Sequence, residues 1–215
     1  MPKEIGITVV SNQYHYHFED LIDYFLRTYF IFQQNQQMNN QEITHDYEKL
    51  ALISLRQLIT KNKKNHINFI TWINRTTEIV GRLSKSDLLL EQRIDDKSFR
   101  FFRNTFLNSL KEYNLLFSNK KAIVNDYGIS EIDKLVKFAD KIVAHFSYFE
   151  IEIWDHTHEI FYDKVLLKKI AASLYNIRAS IRMYNTLEGC GELQMDEYIS
   201  FDDMLTIENE SAKQS

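Results

Sequence analysis

Only Pro2 and five glycines interrupt 215 residues that are otherwise rich in Leu, Ile, Lys, Glu, Asn, Phe and Tyr, so long stretches lack the residues that break helices. A sheet-rich chain needs many tight turns, and tight turns draw on glycine and proline. Their scarcity restricts the fold to one built mostly from long helices.

The apolar residues fall at matching intervals. Their spacing predicts a first helix from about Phe18 to Gln37, with Leu21, Ile22, Phe25, Leu26, Tyr29 and Phe32 at helical positions, fraying into a loop through the polar stretch Gln33 to Asn40. A second helix is expected from Asp46 to Thr60, with Tyr47, Leu50, Ala51, Ser54, Leu55 and Leu58 on one side and the basic connector 61–64 ending it. A third runs from about His66 to Gln92, and a fourth from Phe99 to Leu116 carries Phe102, Phe106, Leu110 and Tyr113. After the connector 119–128, Ser130 followed by Asp133 forms a capping arrangement that starts a helix reaching about Phe146. The last long helix spans about Lys164 to Leu187, before Gly189. No repeat of solenoid period occurs, so the expected fold class is all-α: a helical bundle of about five long helices.

One helical domain, residues 1–187, and an acidic C-terminal tail, residues 188–215, account for the length and for the charge. The tail sets Glu188, Glu192, Asp196, Glu197, Asp202, Asp203, Glu208 and Glu210 against Lys213, so it carries −7 of a formal net charge of −4 and leaves the body at +3. Tyr198, Ile199, Phe201, Met204 and Leu205 lie among those acids, a pattern compatible with a disordered tail or with one that docks. Cys190 has no partner for a disulfide, the N-terminus has no signal-peptide layout, and no apolar run approaches the length of a membrane span. The expected location is the cytoplasm, with no membrane partner.

The helix from Ser130 carries Ile132, Leu135, Val136, Ala139, Ile142, Val143 and Phe146 as a continuous apolar stripe, while Lys141 and His145 sit one turn apart away from its centre. Within it, Phe138-Ala139-Asp140-Lys141-Ile142-Val143-Ala144-His145 resembles the signature region of HEPN domains, especially the branch found among bacterial abortive-infection and toxin–antitoxin proteins. The resemblance is sharp over these eight residues, and the helix order matches loosely across 18–187. It implies a helical bundle that forms a homodimer, with an arginine and a histidine from each subunit cleaving RNA at the interface without metal. On that pattern His145 takes the place of the motif histidine and Asp140 that of the polar residue after the arginine. Ala139 stands where the arginine belongs.

Such chemistry needs a permanent cation to hold phosphate and a group titrating near neutrality to move the proton of the 2′-hydroxyl. His145 has the second property, and Lys141 offers a point charge without arginine's bidentate fork. Alanine at 139 fits either a degenerate domain, serving as an antitoxin-like or regulatory module that binds a protein partner, or a deliberate inactivation of a toxic endoribonuclease. His145 equally fits a helix C-terminal histidine facing the helix dipole, and Asp140 with Lys141 an ordinary solvated pair.

Arg178 and Arg182, one turn apart, together with Lys168-Lys169, Lys120-Lys121 and the lysines of 61–64, are candidates for tracking RNA phosphates and equally for solvated helix faces. Asp155-His156-Thr157-His158-Glu159 and His15-Tyr16-His17 contain metal-ligand residue types, but His-x-His separates its rings on a helix, so neither metal nor cofactor is expected. No glycine-rich phosphate loop, nucleophile elbow, Cys-x-x-Cys or His-Glu-x-x-His motif appears.

Overall fold

A computed structural model describes residues 13–59, 69–87, 94–118, 135, 139, 164–188 and 200–206, and among these every extended element is a helix and no strand occurs. The fold is an all-α bundle, and the described residues include five long helices: α1 (Gln13–Gln37), α2 (Gln41–Ile59), α3 (Phe69–Arg82), α4 (Asp96–Ser118) and α5 (Lys164–Glu188).

The polar stretch after Phe32 does not fray. α1 continues to Gln37, with Asn35 buried and its amide donating to the Ile31 carbonyl (2.8 Å). Asn39 then adopts a left-handed backbone (φ 55°), the Asn40 amide reaches back to the Asn35 carbonyl (3.1 Å) and the Asn39 amide to that of Gln36 (3.3 Å). These paired bonds satisfy carbonyls left orphaned at the helix end. Asn40 is also the residue from which α2 starts, so α2 begins five residues before the expected Asp46 and lies antiparallel to α1.

α3 is shorter than its periodicity predicts. The chain leaves the helix after Arg82, makes a single 3-10 turn at Lys85–Asp87 and buries Ile94 on the way to α4. The Arg103 guanidinium donates to the carbonyls of Val80 and Gly81, and the Leu83 amide closes a tight bond on Val80 (3.3 Å). The last carbonyls of α3 are thus capped by a side chain from α4, which needs no further helical turn. Asp95 caps the start of α4, its carboxylate accepting from the amides of Lys97 (2.8 Å) and Ser98 (2.9 Å) and from the Ser98 hydroxyl (2.7 Å).

Packing orders the helices in a ring: α2, α1, α5, α4 and α3 are neighbours in that sequence, and α3 returns to touch α2. Across its centre Phe69 of α3 meets Phe18 of α1 and Tyr113 of α4, each edge to face at 5.2 Å, and stacks on Trp72 at 5.5 Å. One continuous core joins all five helices, including Ile22, Phe25, Tyr29, Leu55, Phe102, Phe106, Leu174 and Ile177. No helix among the described residues is long and apolar enough to cross a membrane.

Two further parts of the chain enter that core. Leu135 and Ala139 are helical and buried. Residues 201–206 are helical, and the first of them, Phe201, belongs to the same cluster.

Candidate functional site

Position 139 decides what the expected motif can do, and it lies inside the bundle. Ala139 is 2 % exposed and Leu135, four residues before it, is buried with it, so this pair of the predicted apolar stripe packs into the core. His145, Asp140 and Lys141 lie outside the described residues, as do the basic runs at 61–64 and 120–121 and residues 155–159. Among the described residues no group of three or more His, Cys, Asp or Glu is placed to hold a metal ion.

Arg178 and Arg182 lie on the face of α5 that meets α1, where both encounter carboxylates. Arg178 pairs with Asp23, while Arg182 reaches Asp23 at 3.2 Å and Glu19 at 3.8 Å. Burial and the neighbouring charge of Arg182 pull the Arg178 pKa down, and Glu19 opposes them. Two cations and two anions leave this cluster close to neutral, so its geometry clasps α1 to α5.

A second cluster sits nearer the start of α5, and the tail completes it. Phe201 is 6 % exposed and lies against Tyr175 (5.7 Å), Phe30 (5.9 Å) and Tyr29 (6.3 Å), an aromatic seat made by α1 and α5. Ser200 caps the helical residues 201–206, accepting from the Asp203 amide (3.2 Å) and donating to the Asp203 carboxylate (2.6 Å). Asp202 pairs with Lys168 of α5 (3.0 Å), and its charge adds to the burial that raises the Tyr29 phenol well above its ordinary range. Lys164 lies over the Phe32 ring at 6.0 Å, on the edge of the same surface.

Beside the docked segment a cleft of about 440 Å³ remains, lined by Val165, Lys168, Lys169, Ala172, Asn176, Ser200, Phe201 and Asp202. The aromatic and aliphatic residues set among the tail's acids signalled that docking was open to it. Which residue anchors it is carried by Ser200 and Asp203 in capping register around Phe201, a signal legible only once the seat is known.

No family model, no curated protein and no solved structure matches this chain.

Proposed function

We propose that this chain is a HEPN-like helical module of a bacterial defence or toxin–antitoxin system, degenerate at its nuclease position, which acts as a homodimer by binding a protein partner. The observation that carries the reading is the burial of Ala139. A cation that holds phosphate must reach solvent, whereas a guanidinium at 139 would be stripped of water among apolar neighbours, a loss that burial repays only with a well-placed partner. Alanine is the residue such packing favours. Arg178 and Arg182 add support, since their partners are carboxylates of the same chain.

The test compares the unaltered chain, Ala139→Arg, and Ala139→Arg with His145→Ala, for cleavage of total cellular RNA in metal-free buffer, with mass by light scattering and folding by circular dichroism. The expected result is a dimer that leaves RNA intact, and an Ala139→Arg chain destabilised by about 3 kcal/mol or more through overpacking and charge burial. Cleavage by a folded Ala139→Arg chain, abolished by the added His145→Ala, would overturn the reading and identify an impaired endoribonuclease.

A further inference from the structure

The seat of residues 200–206 has the features of a binding groove whose occupant fits only part of it. Phe201 fills the aromatic floor, while Met204 and Leu205 are only half-buried. The cleft of about 440 Å³ continues alongside it, and Val165 on its rim is 61 % exposed. Lys168 and Lys169 border this space, and Lys164 stands one turn before Lys168. A helical ligand that also entered this cleft would cover Val165 and place further carboxylates near these lysines.

We infer that the α1–α5 groove beneath residues 200–206 is a docking surface for an acidic amphipathic helix of a partner protein, with one aromatic anchor in its first turn, and that the chain's own segment holds the groove closed until such a helix displaces it. The inference rests on the partner-binding reading above and names its surface. The aromatic floor and the seated helix favour a helical ligand over an extended polyanion. The charge division, −7 in the tail against +3 in the body, favours an acidic one.

Tethering sets the threshold for displacement. A covalently linked segment competes at an effective concentration on the order of millimolar, so a partner that made only the contacts of Phe201 and Asp202 would rarely win. The cleft and the exposed Val165 supply the additional area that a partner helix buries.

The probe is a fluorescein-labelled peptide of residues 196–210, titrated by fluorescence anisotropy into the full-length chain and its Phe201→Ala variant, with folding checked by circular dichroism. Removing the anchor opens the groove, so the peptide is expected to bind Phe201→Ala at least about tenfold more tightly than the unaltered chain. Adding Lys168→Glu to Phe201→Ala should weaken that binding about twofold to fivefold, the range for an exposed ion pair. A peptide carrying Phe201→Ala should show no saturable binding. If Phe201→Ala fails to fold, Asp202→Lys loosens the segment without altering the core and replaces it in the comparison.

Equal affinity for the closed and opened chains, or no saturable binding to the opened one, would overturn the inference. So would tighter binding of single-stranded RNA than of peptide by the opened chain, which would assign the lysines to a nucleic acid. Loss of dimer mass on Phe201→Ala would also overturn it, by assigning the seat to a second copy. None of these readouts depends on position 139, so failure here is distinguishable from recovery of nuclease activity there.

Discussion

Arg178 of α5 and Asp23 of α1 form an ion pair in which the arginine is largely covered and the carboxylate about one-third exposed. Removing the arginine alone leaves Asp23 partly desolvated beside Arg182, which reaches it from farther out. Arg178→Ala should therefore destabilise the chain by about 1 kcal/mol, with part of the loss recovered in the double variant Arg178→Ala with Asp23→Asn. Urea denaturation of the four members of that cycle checks this. A single variant that lowers RNA affinity while leaving the denaturation midpoint unchanged would show that the arginine faces an external phosphate.

The turn between α1 and α2 offers a conformational test. Asn39 holds a left-handed backbone at φ 55°, which asparagine tolerates, glycine adopts freely and β-branched residues resist. Asn39→Gly should be close to neutral, while Asn39→Val should cost about 1–2 kcal/mol. Thermal melts distinguish them, and equal midpoints for the two variants would show that the turn does not hold this conformation in solution.

How much of this was legible in the sequence follows from which interactions are local. The apolar periodicity located α4, α5 and the end of α1 well, because each buries one stripe against neighbours and periodicity reports that directly, but α1 begins at Gln13, five residues before the first apolar position, Phe18, from which it was read. It misplaced the start of α2, since the polar residues 33–40 read as a loop while Asn39 and Asn40 turn the chain within two residues. It overran the end of α3, because the side chain that caps Val80 and Gly81 comes from Arg103, more than twenty positions away. The same limit applies to the candidate site. The apolar stripe placed Ala139 on a face to be buried, and the bundle shows what covers it, the chain's own core. The pairing of Arg178 and Arg182 with Asp23 and Glu19, and of Phe201 with Tyr29 and Phe30, joins residues more than 150 positions apart.

Acid should loosen the start of α4 in a defined direction. The Ser98 hydroxyl and backbone amide, helped by the Lys97 amide and the charge of Lys85, hold the Asp95 carboxyl below its ordinary value of 3.8. A carboxylate depressed on folding stabilises the chain above its unfolded pKa, and that contribution disappears as pH falls through the folded one. Asp95→Asn keeps a capping acceptor but cannot titrate, so its stability should fall less steeply than that of the unaltered chain below about pH 4. Identical acid limbs in the two denaturation series would show that Asp95 does not cap α4.

Alkaline pH probes the seat of the tail, because Tyr29 forms part of its floor. Burial raises the Tyr29 phenol well above 10.0 and the carboxylate of Asp202 raises it further; Tyr113 is raised by burial alone. The unfolded chain therefore loses these protons first. The stabilisation is complete below the unfolded value near 10.0 and is lost as pH rises past it towards the folded value. Tyr29→Phe should flatten the decline in stability above about pH 10, and Tyr113→Phe should flatten it independently. Asp202→Asn removes the neighbouring charge without touching the phenol, so it should alter the alkaline slope of the unaltered chain and have no such effect in a Tyr29→Phe background. Coupling of that kind requires Asp202 to lie beside Tyr29 in solution. An Asp202→Asn effect that persists in Tyr29→Phe would place the carboxylate elsewhere and leave Phe201 without its seat on α1.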